Sequence, residues 1–210
     1  MHTFYLGTHM PNWLANAGVA LFVSQRRLAR CATLPRAAAG WALDSGAYTE
    51  LLMFGEWTTT AAQYVAAVRR YDDEIGQLEW AAPQDLTCEP QVLARTGLSV
   101  LEHQRRTVDN FVELQMLWGD EETSPFMPVL QGLRAADYVR CMDLYARAGI
   151  DLTRFPVVGL GSVCRRQASA ELDQILSAIL RRDPDMPLHA FGCKTAGLAR
   201  YGHKVYTADS

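Results

Sequence analysis

Three aspartates, Asp44, Asp85 and Asp209, each stand at the end of a short apolar run. Asp44 follows Trp41-Ala42-Leu43 and leads into Ser45-Gly46. Asp85 follows Trp80-Ala81-Ala82-Pro83-Gln84, and Asp209 follows Val205-Tyr206-Thr207-Ala208. Two further runs end in polar or glycine residues: Pro128-Val129-Leu130 in Gln131-Gly132, and Val157-Val158-Gly159-Leu160 in Gly161-Ser162. A single Asp after a strand is often no more than a helix N-cap. Three of them converging with a glutamine on one end of one sheet fit a different task. Paired carboxylates serve glycosidic cleavage: one attacks the anomeric carbon or stabilises its cationic transition state, and the other moves a proton on the leaving group. A third carboxylate, kept ionised, accepts hydrogen bonds from the N–H edge of a base, and Gln131 can donate and accept. Gly132 and Gly161 would let backbone amides come close to a ligand. The chain has no His-x-His, His-Glu-x-x-His or clustered Cys to support a catalytic metal, so no cofactor is expected; magnesium on Asp and Glu stays open.

These residues need a frame that brings strand ends together. Eight β-branched or aromatic runs are strand candidates: Thr3–Thr8, Ala20–Ser24, Gly40–Ser45, Glu79–Gln84, Phe126–Gln131, Pro156–Ser162, Leu188–Gly192 and Lys204–Ala208. Between them, apolar positions recur every three to four residues over Ala61–Ile75, Leu101–Trp118, Ala135–Ala148 and Ser169–Leu180, the amphipathic-helix signal. Thr59 or Thr60 caps the first of these helices. Ser99 with Glu102 forms a capping-box pattern before the second, and Gly119 and Gly149 stand where helices stop. Alternating β and α units predict a parallel sheet with right-handed crossovers, and eight of them predict closure into a (β/α)8 TIM-type barrel of α/β class. An open doubly wound sheet is the alternative. Thr8-His9-Met10-Pro11 after the first strand is no phosphate loop, which favours the barrel. The sequence stops after the eighth strand with no eighth helix, so the barrel is closed by other means or the chain is truncated. A single barrel domain over 1–210 is expected.

Composition narrows the class. Hydrophobic content of 49% and charged content of 20% are ordinary for a globular protein. No run approaches the roughly 18 apolar residues of a membrane span, and no signal peptide opens the chain, so a cytoplasmic protein with no membrane partner is expected. The five cysteines are far apart, which argues against a disulfide framework or a cysteine-rich zinc site. Net charge is −3, not the footprint of a dedicated nucleic-acid binder. The basic residues are nonetheless eighteen Arg and two Lys, several in pairs. One pair, Arg165-Arg166, falls just past the sixth strand, and Lys194 follows the seventh; these are the phosphate-binding candidates against the reading of a solvated face.

Asp44-Ser45-Gly46-Ala47-Tyr48 resembles the D-S-G-G-[FY] motif of the tRNA-guanine transglycosylase superfamily. Pro83 to Pro90, Val129 to Gly132, Val158 to Ser162 and Thr207 to Ser210 follow in that family's order. Phe-Tyr-Leu-Gly-Thr-His-Met-Pro at Phe4 to Pro11 and Gly-Leu-Gly-Ser-Val-Cys-Arg-Arg at Gly159 to Arg166 are similar to the branch associated with deazapurine modification of DNA. The resemblance spans Phe4 to Ser210. It implies base exchange in which guanine leaves DNA (in preference to tRNA) and a free 7-deazaguanine base enters as co-substrate. It implies Asp209 as nucleophile, Asp44 as general acid/base and Asp85 on the Watson–Crick edge of the base. Gln131 and the Gly161 backbone would contact the carbonyl side of the base, Gly132 and Ser162 would bind the base beside them, and Tyr48 and Phe191 would stack on it. A base in a duplex must leave the stack to reach such a site, which would bring Arg165, Arg166 and Lys194 toward phosphate. Ala47 stands where the motif has a second Gly, and nothing in the chain can form the zinc site that the tRNA enzymes carry after the last strand. A base-excising glycosylase and an inactive nucleic-acid-binding member are the alternatives, and a homodimer or a partner subunit is left open.

Overall fold

The computed structural model describes residues 2–120, 122–164, 166, 169–193 and 195–210. Eight parallel strands form one curled sheet: β1 (Thr3–Thr8), β2 (Leu21–Ser24), β3 (Trp41–Asp44), β4 (Leu78–Ala81), β5 (Val129–Leu130), β6 (Val158–Leu160), β7 (Leu188–Ala190) and β8 (Thr207–Asp209). Their hydrogen-bonded order is β4-β3-β2-β1-β8-β7-β6-β5. β4 meets the segment just before β5 through a parallel bridge, Ala81 to Phe126, in which Met127 N donates to the Ala81 carbonyl at 3.1 Å. The protein thus has a TIM-like α/β fold, as the eight-unit pattern predicts. Helices fill the crossovers among the described residues: α1 (Trp13–Asn16), α2 (Gln25–Leu28), α3 (Ala47–Phe54), α4 (Ala61–Ile75), α5 (Pro90–Thr96), α6 (Val100–Trp118), α7 (Ala135–Arg147), α8 (Ala170–Arg182) and α9 (Thr195–Tyr201). None is long and apolar enough to cross a membrane.

Local chemistry sets the boundaries. Thr60 accepts from Gln63 N in a reciprocal capping box at α4, and Ser99 accepts from Glu102 N at α6. Gly119 ends α6 at φ 89°, a left-handed stop. The sequence reading overextends several strands. β4 stops at Ala81 rather than Gln84 because Pro83 has no N–H for a ladder and the chain turns into a loop. β5 holds only Val129–Leu130, with Pro125 and Pro128 just before it. β8 lies three residues later than Lys204 because Lys204 N still bonds the Tyr201 carbonyl at the end of α9. The short helices α1, α2, α3, α5 and α9 carry too few turns for a periodic signal and are not anticipated.

Strand parity decides what faces the barrel interior. Successive side chains alternate between faces. Tyr5, Ala42, Trp80, Met127, Val129 and Val157 form one cluster inside the barrel, with Phe22 and Phe191 against it. Their neighbours Leu21, Val23, Trp41, Leu43, Leu130, Val158, Leu160 and Leu188 point outward and pack under the helices. Two residues beyond Ala42, Val129 and Gly159, the inward register arrives at Asp44, Gln131 and Gly161. The same count along β7 and β8 runs from His189 to Phe191 and from Thr207 to Asp209. The alternation that builds the core therefore delivers the polar residues to one mouth.

Candidate active site

At the carboxyl ends of the strands, where barrel enzymes carry their chemistry, lies a cavity of about 180 Å³. Its wall includes Asp44, Tyr48, Asp85, Gln131, Gly161, Ser162, Phe191 and Asp209, so eight of the residues singled out in the sequence share one site. The volume falls below the roughly 300–1,000 Å³ of sites for drug-sized ligands and suits one ring system rather than a whole nucleotide. A larger hollow of about 470 Å³ opens at the other end of the barrel beside Leu78, Glu79 and Val157. That face is usually a stability face.

Asp209 closes β8 and pairs in register with Tyr5. It is 5% exposed. One carboxylate oxygen accepts from Gly192 N at 2.9 Å and meets His189 Nε2 at 3.1 Å. No donor among the described residues reaches the other oxygen. Asp44 ends β3 beside Ser24, accepts from Gly46 N at 2.9 Å and is bonded by the Ser24 hydroxyl. Burial pushes the Asp44 carboxyl above the ordinary carboxylate range, and the Asp209 charge adds to this. Gly46 adopts φ 81°, and a Cβ there would meet Arg26 Cδ at 2.9 Å, so the turn from Asp44 into α3 needs glycine twice over.

Asp85 is held differently. It sits in a loop in which every residue from Ala82 to Glu89 is buried. Buried backbone groups must be paired, and α6 supplies much of the pairing. Asn110 Oδ1 accepts from Gln84 N at 3.0 Å, Thr107 Oγ1 accepts from Leu86 N at 2.9 Å, and His103 Nδ1 lies 2.8 Å from the Thr87 carbonyl. From α4, the Tyr64 hydroxyl donates to the Ala82 carbonyl at 2.8 Å. The carboxylate itself accepts from Gln131 Nε2. Gln131 Oε1 accepts from Ser162 Oγ at 2.6 Å, and Ser162 Oγ accepts from Cys88 N at 2.7 Å. Ser162 has one proton; its contact with Glu89 at 3.4 Å is much longer than that with Gln131, so the proton goes to Gln131. Burial, partly offset by the Gln131 bond, pushes the Asp85 pKa up to about 7. In the unliganded protein burial thus favours the protonated form of Asp85 more than in a free carboxylate.

Several residues of the wall escape the sequence reading. Glu89 is 7% exposed and lies beside Ser162 and Cys164. Ser45 Oγ and Thr87 Oγ1 are buried there without a hydrogen-bond partner among the described residues. Phe22 adds an aromatic edge. The inward parity of β2 and the polar run Thr87-Cys88-Glu89 are the signals that mark them.

Some expectations need correction. Gly161 does not present its amide to the cavity, because its N–H bonds the Leu130 carbonyl at 3.0 Å. Its lack of a side chain instead makes room for Gln131, whose Nε2 would lie 2.3 Å from a Cβ. Gly132 is not part of the cavity wall, and a Cβ there would meet Asp137 Cβ at 2.7 Å. Arg166 is already engaged: it donates to the carbonyls of Leu133, Gly132 and Ser162, the last at 2.8 Å, tying the loops after β5 and β6 together. Arg165 and Lys194 lie outside the described residues. Among the other arginine pairs, Arg26 is bonded to Glu50, Arg70 to Glu74, Arg106 to Glu102 and Arg182 to Asp143. No group of three His, Cys, Asp or Glu among the described residues could hold a metal ion.

A family model described as DpdA, DeoxyPurine in DNA protein A, matches residues 1–210, the full length of the sequence. No curated protein matches the chain.

Proposed function

The chain belongs to the DpdA family, and from that premise we propose that it is a transglycosylase that replaces guanine in DNA by a 7-deazaguanine through a covalent intermediate on Asp209. The observation that carries this reading is the unequal state of the carboxylates around one base-sized cavity. Asp209 has one oxygen held between Gly192 N and His189 Nε2, Asp44 is pushed toward its protonated form, and Asp85 is built into an amide array. A carboxyl that burial pushes toward its protonated form is suited to the part of the acid.

In the proposed reaction the target nucleotide is flipped out so that its base enters the cavity. The Asp209 carboxylate attacks C1′, the C1′–N9 bond breaks, and the Asp44 proton passes to the departing guanine. The 7-deazaguanine then takes the same place. Asp44, now ionised, accepts its N9 proton as N9 attacks C1′ and releases Asp209. Asp85 accepts hydrogen bonds from the N–H edge of either base, while Tyr48 and Phe191 offer ring faces for stacking. DNA is the macromolecular partner.

The reading is tested by incubating the protein with duplex DNA, single-stranded DNA and tRNA in the presence of labelled guanine or 7-cyano-7-deazaguanine. Label is expected in acid-insoluble DNA, with a transient protein–DNA adduct. Abasic sites without incorporation would replace exchange by excision. Absence of both label and adduct on every nucleic acid would overturn the assignment.

A further inference from the structure

We propose that His189 is a positioning residue for Asp209, acting through a tautomer set by Thr207; this rests on the transglycosylase reading. His189 lies at the centre of the barrel, 0% exposed, between two polar atoms. Its Nε2 is 3.1 Å from Asp209 Oδ1 and its Nδ1 is 2.9 Å from Thr207 Oγ1. Ring nitrogens are assigned their protons by their partners. An ionised Asp209 is acceptor-only, so Nε2 must carry the proton and donate. With one proton on the ring, Nδ1 is then a lone pair, and the Thr207 hydroxyl donates to it. The result is a directed relay, Thr207 to His189 to Asp209.

Geometry makes the relay stiff. Trp80 and Phe191 flank the imidazole edge-on with centroids 4.7 Å away, and Phe22 and Tyr5 stand at 6.0 Å. The ring is fully buried and held on these sides. His189 and Gly192 N both bind the same Asp209 oxygen. That leaves Oδ2 to form the bond to C1′ in a fixed direction. A phenylalanine would fill the same aromatic cage without desolvating two nitrogens. A histidine there is explained by the service to Asp209.

The test uses the full chain. Single-turnover adduct formation on DNA is measured for wild type, His189→Phe, His189→Gln and Thr207→Val, with melting temperature and equilibrium base binding alongside. His189→Phe is expected to slow adduct formation about 100-fold, the scale of losing one preorganised donor, with base binding unchanged. His189→Gln, which keeps an N–H, is expected to recover most of that loss. Thr207→Val is expected to slow the reaction about tenfold, as loss of an outer-shell orienter does, and to have no effect in the His189→Gln background, where no tautomer exists. Equal rates for wild type and His189→Phe would overturn the proposal, as would a Thr207→Val effect of equal size in both backgrounds. NMR of 15N-labelled histidine gives a readout independent of turnover. An Nε2–H tautomer that is disturbed by Thr207→Val is expected; an Nδ1–H tautomer overturns the relay whether or not an adduct forms. A wild type that shows the Nε2–H tautomer and forms no adduct counts against base exchange, not against the relay.

Discussion

The two walls of the cavity are built on opposite principles. The wall that carries Asp85 is tied in all directions: Gln131 to the carboxylate, Ser162 to Gln131, Cys88 N to Ser162, and α6 to the loop behind. Even Ser162 adopts φ 59°, an uncommon conformation for a residue with a side chain, to keep its place. The wall that carries Asp44 and Asp209 is sparse. Asp209 rests on one ring nitrogen and one amide, and Asp44 on one amide and one hydroxyl. A surface that reads the edge of a base gains from rigidity, whereas a carboxylate that must attack, or pass a proton, needs an oxygen left open. On the proposed function, the difference separates binding from reaction along the boundary between β4–β6 and β3, β7 and β8.

The sharpest way to break that comparison is to remove the reacting carboxylates and ask whether binding survives. Asp209→Asn is expected to abolish adduct formation, a loss on the order of 10⁴-fold or more for a nucleophile, while base affinity changes little. Asp44→Asn is expected to cost about 10²–10⁴-fold in rate, the range for a general acid, again with binding retained. Adduct trapping and equilibrium binding on the same samples check both. Equal loss of binding and rate in either variant would erase the division.

The binding wall makes a prediction in pH. Burial raises the Asp85 pKa to about 7 in the free protein, and a base whose N–H groups donate to the carboxylate favours the ionised form. Base affinity should therefore rise with pH and level off above about 7, falling by up to about tenfold per unit below it. Stability of the unliganded protein moves the other way. A folded pKa above the unfolded value of about 3.9 gives stability that is present at low pH and lost as pH rises through about 7. Asp85→Asn should flatten both profiles. Calorimetric binding and thermal melting between pH 4 and 8 measure them, and a pH-independent affinity in the native protein would remove Asp85 from base reading.

How much of this is legible in the sequence follows from what repeats. Strand parity is periodic, so Asp44, Gln131, Gly161, Phe191 and Asp209 could be placed at one mouth from their distance along apolar runs. The support of Asp85 is not periodic in that sense. His103, Thr107 and Asn110 stand at helical spacing on α6, but a polar residue there looks like any solvated position until the buried loop it serves is known. His189 and Asp209 lie on adjacent paired strands, but a histidine within an apolar run does not itself show which polar group it will meet. Arg166 was legible as a cation at the mouth but not as a cation already engaged by three carbonyls, because carbonyl partners leave no mark on the sequence.

The α6 support should show up in stability more than in chemistry. Thr107→Val keeps the shape of the side chain and removes the acceptor for Leu86 N. An unsatisfied buried N–H costs about 1–3 kcal/mol, so a lower melting temperature is expected, with single-turnover rate nearly unchanged at temperatures where the variant is folded. A large fall in rate with native stability would instead make the loop a moving part of the reaction.

The smallest effect expected is at Arg166, the cation that ties the loops after β5 and β6 together. A phosphate contact contributes a counterion, so its removal lowers the slope of log affinity against log salt by about one. A guanidinium bound to the carbonyls of Gly132, Leu133 and Ser162 contributes none. Arg166→Ala is therefore expected to lower stability by about 1 kcal/mol or slightly more, the usual value of intramolecular hydrogen bonds, and to leave the salt slope of DNA binding unchanged. Titrations at four or more salt concentrations decide it. A slope reduced by about one would mean that the guanidinium leaves its carbonyls when DNA arrives, and the rigid wall would then extend to the backbone of the substrate.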